Sequence, residues 1–73
     1  MSTNTIPLAA SAIARDLAQA GWTRRGVHAY RDGQRIDADD VQHTVSFYTG
    51  FSGTTLAGHT HRVVQALPVE VKS

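Results

Sequence analysis

With 73 residues, a formal net charge of +1 and no cysteine, the chain has room for one domain and lacks the disulfide framework and thiolate zinc site that staple many small folds. Its bulk charge makes no general case for nucleic acid or membrane as a partner, and it holds no apolar run near the ~18 residues of a membrane span. A chain this short hides only about 60% of the surface its unfolded form exposes, so stability is slim and self-association or a partner is one way to make up the difference.

The N-terminus shows no basic stretch followed by an apolar one, which makes the cytoplasm the expected compartment. Residues 1–73 read as a single domain whose ends, 1–5 and 69–73, are loose. Thr5 suits a helix cap and Pro7 a first turn, where a missing amide proton costs nothing. From Ala9 the spacing is helical: Ala9, Ile13, Leu17 and Ala20 form a stripe with Ala10 at its edge, and Ser11, Arg15 and Gln19 lie opposite. Gly21 stops this helix. Six of the ten alanines fall between residues 9 and 20, which describes a thin helix lying close against a sheet.

Trp22 opens a strand that runs into a hairpin closing on Asp32-Gly33, because both residues accept the positive φ angles of a two-residue type I′ loop. The register then sets Arg31 opposite Gln34, Tyr30 opposite Arg35, Ala29 opposite Ile36, His28 opposite Asp37 and Val27 opposite Ala38. Val27, Ala29, Ile36 and Ala38 turn inward in that arrangement, and the Tyr30/Arg35 and His28/Asp37 pairs stay wet. Asp39-Asp40 breaks the pattern. Alternation resumes from Val41 to about Thr49, with Val41, His43, Val45 and Phe47 on one face, and predicts a third strand. Gly50 to Gly53 is a turn by composition. The last segment is close to a tie. A helix collects Leu56, Thr60, Val63, Val64 and Leu67 on one side and ends at Pro68, whereas a strand suits the β-branched residues; the cleaner amphipathic sorting favours the helix. Val69, Val71 and Lys72 fit a short edge strand or a tail. The fold class is α+β, an N-terminal helix packed on a three-stranded antiparallel sheet with a C-terminal helix (α-β-β-β-α), with α-β-β-β-β as the alternative.

Chemistry is sparse. His59 and His61 would share one side of a strand, but in a helix they diverge by about 200° and cannot reach one ion. His28 opposite Asp37 has the look of an acid-oriented base, yet a cross-strand ion pair accounts for the same residues. No G-x-S-x-G elbow and no glycine-rich phosphate loop occurs in the chain, so no catalytic residue, metal ligand or cofactor is expected. Arginine outnumbers lysine six to one, and guanidinium forks suit phosphate and carboxylate. Arg24, Arg25, Arg31 and Arg35 interleave with Trp22 and Tyr30, a composition for tracking phosphates and stacking rings. The expected contact surface is the outer hairpin face around Trp22, Arg24, Tyr30 and Arg35, with a protein or a nucleic acid as partner.

Two resemblances bear on this stretch. Ile13-Ala14-Arg15-Asp16-Leu17, Gly21-Trp22, Gly26-Val27-His28-Ala29-Tyr30 and Asp32-Gly33 together resemble the first half of HicA-type toxins, over less than half of the chain. That resemblance implies a small ribonuclease on a double-stranded-RNA-binding-like α-β-β-β-α fold, with His28 at the catalytic position. Ala14, Leu17 and the run from Gly21 to Tyr30 also resemble a phage-repressor helix-turn-helix, which implies that Thr23 caps a recognition helix presenting Arg24, Arg25, His28 and Arg31 to the major groove. Gly26 inside that helix and the hairpin signal at Asp32-Gly33 count against it. The leading expectation is a small non-enzymatic binding module, a regulator or inhibitor of the phage or plasmid kind.

Overall fold

The computed structural model describes residues 9–70; the cap and first turn expected at Thr5 and Pro7 lie outside them. In chain order the elements are α1 (Ala10–Gln19), β1 (Trp22–Arg25), β2 (His28–Arg31), β3 (Gln34–Arg35), α2 (Ala38–Thr49) and α3 (Gly53–Ala66). The α+β class, the N-terminal helix, the three-stranded antiparallel sheet and the C-terminal helix are as the sequence predicts. The sheet, however, is assembled from other residues than expected, and α2 stands where the third strand was placed.

Two glycine turns build the sheet. Asp32 and Gly33 take φ angles of 54° and 80°, the paired positive values of a type I′ loop, and the register of β2 on β3 is Tyr30 with Arg35 and Arg31 with Gln34. The Ile36 amide donates to the Ala29 carbonyl at 2.8 Å, so the predicted register holds to that point. The first strand does not run unbroken from Trp22. Gly26 has a φ of 62° while Val27 does not share it, which is the signature of a type II′ loop. The chain therefore reverses at Gly26-Val27 and pairs Trp22 with Arg31, Thr23 with Tyr30, Arg24 with Ala29 and Arg25 with His28. Residues 22–31 are two strands rather than a helix, so the recognition helix of a helix-turn-helix is not formed. Val27, expected inside, stands at the tip of this loop and is 62% exposed.

From Ala38 to Thr49 the chain is helical, which corrects the expected strand over Val41 to Thr49. Val41, Val45 and Thr49 are the buried positions, one helical turn apart, while Phe47, expected on the same face as Val41, is 87% exposed. Asp39 and Asp40 lie in the first turn, where carboxylates complement the positive end of the helix dipole. Gly50 closes the other end in the left-handed conformation, its amide donating to Ser46. In α3 the apolar side is the predicted one: Thr60, Val63 and Val64 are buried and Leu67 follows them inward, with Leu56 partly covered. Past Pro68 the chain runs alongside β1. The Arg24 amide donates to the Pro68 carbonyl and the Glu70 amide to the Arg24 carbonyl, both at 2.9 Å, forming a parallel bridge of Arg24 to Val69. Val69 and Glu70, placed in a loose end by the sequence, thus cover part of the outer edge of β1.

The core gathers Ile13, Ala14 and Leu17 of α1, Trp22 and Ala29 of the sheet, Val41 and Val45 of α2, and Val63, Val64 and Leu67 at the C-terminal end. Alanine at position 14 lets α1 lie close on α3, its main neighbour. One polar clasp joins α2 to α1: the Tyr48 hydroxyl donates to Asp16 Oδ2 at 2.9 Å. That bond first, then burial and the carboxylate's charge, raises the Tyr48 phenol above its ordinary pKa of 10.0. Because the folded value lies above the unfolded one, the stabilisation is complete below the unfolded value and is lost as pH rises through the folded value. In a Tyr30→Phe background, ultraviolet titration of Tyr48 is expected to show a midpoint above the ordinary range, and Asp16→Asn to bring it down. A midpoint that Asp16→Asn does not move would refute the clasp.

Candidate functional site

Among the described residues, helices pack on one face of the sheet and leave the other open. Antiparallel partners share a face, so the pairing sorts the hairpins into an inner set of Trp22, Arg24, Ala29 and Arg31 and an outer set of Thr23, Arg25, His28, Tyr30 and Arg35. Trp22 and Ala29 are buried at 6% and 2% exposure, which identifies the inner side. The four residues expected together on the outer face are divided between the two: Tyr30 and Arg35 are there, opposite one another, whereas Trp22 belongs to the core and Arg24 lies on its side. Along an unbroken strand, residues 22, 24 and 30 share a face; the two-residue loop at Gly26-Val27 reverses that parity.

Arg25 replaces Arg24 on the open face. Its guanidinium carbon lies 5.2 Å from the centroid of the Tyr30 ring, a cation–π stack worth about 0.5–1 kcal/mol at an exposed site. Its Nε also lies 3.5 Å from a carboxylate oxygen of Glu70, so the segment after α3 brings an acid directly onto this surface. Arg35 stands opposite Tyr30 as the predicted register has it, but the stack is made by Arg25, which the Gly26 turn brings to the other side of the ring on β1. Arg35 and His28 are exposed, and His28 is the residue that the HicA-type resemblance would make catalytic. Arg24 is tied inward: its Nη1 donates to the Gly26 carbonyl at 3.1 Å and stiffens the loop.

Beside this face, where β2 begins and β3 ends, a cleft of about 250 Å³ opens between the sheet, the start of α2 and the middle of α3. Ala29, Ile36, Val41 and Val64 are among its lining, together with His28, Arg35, Asp37 and His61, which come from β2, β3, the cap position of α2 and α3. Asp37 does not form the predicted rung with His28, because the chain leaves the sheet after Ile36 to begin α2. His59 and His61 lie on α3 and turn apart: His59 meets the Phe51 ring edge-on at 5.2 Å, and His61 reaches the cleft. Among the described residues no group of three or more histidine, cysteine, aspartate or glutamate side chains is placed to hold a metal ion, and no helix is long and apolar enough to cross a membrane. Comparison of the chain with family models, curated proteins and solved structures returns no match.

Proposed function

We propose that the protein is a small non-enzymatic binding module that takes single-stranded nucleic acid on the open face of its sheet and acts as a regulator in the cytoplasm. The observation that carries this reading is the stack of Arg25 on Tyr30 with Arg35 directly opposite, on a sheet face that no helix covers among the described residues. A half-buried ring capped by one guanidinium and flanked by another offers a base a stacked Arg–Tyr platform to lie against and a phosphate a fork to bind, and neither contact depends on sequence. A single strand suits the face better than a duplex, since in a duplex the base faces are already stacked on one another.

Fluorescence anisotropy with a labelled single-stranded oligonucleotide of about 10 nucleotides, within the usual range for one small domain, tests the reading. Among the described residues Arg35 makes no ion pair, and Arg25 is shared with Glu70. One or two phosphate contacts are therefore expected, a slope of log K against log salt between about −0.7 and −1.4. Absence of binding at low salt, or binding without salt dependence, would refute it.

A further inference from the structure

The cleft next to the open face has a chemistry of its own, and its polar groups come from four separate elements that the fold converges on one place. We infer that it is a nucleotide subsite: one nucleobase lies on the apolar floor, and the attached phosphate is held by Arg35, His28 and His61. The inference rests on the nucleic-acid reading above and names where a strand crossing the sheet anchors one of its residues.

Four features support a nucleotide as the occupant. The floor is aliphatic, from Ala29, Ile36, Val41 and Val64, and accepts the flat face of a ring without leaving a polar group unpaired. At about 250 Å³ the space is smaller than the roughly 300–1,000 Å³ of pockets that enclose drug-sized ligands, so it suits one ring system with its attached group. The rim carries a complementary set of charges and donors: the Arg35 fork and two imidazoles for an anion, and the Asp37 carboxylate and Gln42 amide for the donors and acceptors along a base edge. Finally, His28 and Arg35 belong both to this rim and to the open sheet face, so a chain stacked on Tyr30 enters the cleft through shared residues.

His61 separates the two surfaces, since it stands on α3 and takes no part in the sheet. The experiment is a titration of the ¹⁵N-labelled protein with AMP, GMP, CMP and UMP and, separately, with inorganic phosphate, followed by amide chemical shifts. At least one mononucleotide is expected to move the amides of Ala57, Thr60 and His61 in saturable fashion, and phosphate alone to move them far less. His61→Ala, a change at an exposed position, is expected to weaken that mononucleotide about tenfold while the labelled oligonucleotide still binds at the Tyr30 face. Shifts confined to Thr23 and Tyr30 would overturn the subsite and leave the proposed function standing. Equal shifts with phosphate alone would overturn the base-binding part, and failure of every nucleotide and oligonucleotide would overturn both.

Discussion

Trp22→Ala is expected to remove about 3–5 kcal/mol of stability, the range for truncating a large buried aromatic residue, whereas Phe47→Ser changes it by no more than about 0.5 kcal/mol. The contrast follows from exposure, 6% for Trp22 against 87% for Phe47. Trp22 joins α1, the sheet and both C-terminal helices in one core, and its removal leaves a void that these elements can close only by shifting against each other. At roughly 0.05–0.15 kcal/mol per residue, a chain of 73 residues has only about 4–11 kcal/mol in hand, so the substitution takes from about a quarter to all of it. Urea unfolding followed by circular dichroism measures both variants. Equal midpoints for the two, or a larger loss for Phe47→Ser, would contradict the placement of Trp22 at the centre. Its indole, the single one in the chain, also gives a check without mutation: native emission is expected to be blue-shifted and to move red on unfolding.

How far the fold could be read in advance depended on whether a pattern had one period or two. Asp32-Gly33 has a single conformational meaning between flanking β-formers, and its turn, its loop type and the register through Ile36 all followed from it. The stretch from Val41 to Thr49 was ambiguous for a geometric reason. Its buried positions 41, 45 and 49 are four residues apart, and a spacing of four returns to the same face in a strand as well as in a helix. Only the residues between decide, and there His43 and Phe47 looked like strand partners of Val41. The helix is signalled instead by its ends, Asp39-Asp40 in the first turn and Gly50 after the last, although two adjacent acids also fit a strand break. At α3 the same ambiguity was settled by Val63 and Val64, adjacent and both buried, which a strand with one dry face cannot accommodate.

The contact surface was legible in its composition and not in its membership. Arginine and aromatic side chains do meet on one face, yet the choice among them turned on parity across Gly26. Glycine there was available as a signal, because a positive φ at the first loop position is the defining need of a type II′ turn. Valine as the second loop residue hid it, being a strand former in composition. The cleft was out of reach for a different reason: His28, Arg35 and His61 lie on three elements, and their convergence depends on how α3 packs against the sheet, which no local pattern encodes.

Tyr30→Ala and Arg35→Ala are expected to weaken oligonucleotide binding with opposite salt signatures. Tyr30 supplies a stacking surface, and losing one base stack costs about 1–3 kcal/mol, or roughly 5- to 150-fold in affinity. Stacking releases no counterion, so this loss is expected to be the same at every salt concentration and the slope of log K against log salt unchanged. Arg35 neutralises a phosphate. Its removal is expected to flatten that slope by about 0.7, with the affinity deficit largest in dilute buffer and shrinking as salt rises. Both variants should stay folded, since each side chain is on the uncovered face and each cross-strand pair contributes only about 0.2–1 kcal/mol. Tyr30→Phe keeps the ring and should retain affinity within about twofold, which separates stacking from a hydrogen bond of the phenol. Glu70→Gln supplies the complementary gain: it releases Arg25 from the carboxylate 3.5 Å away, so the slope should steepen by up to about 0.7 as a second guanidinium becomes free to meet phosphate. If Tyr30→Ala altered the slope, or if Arg35→Ala and Glu70→Gln left it untouched, the division of labour between ring and guanidinium groups on this face would be wrong.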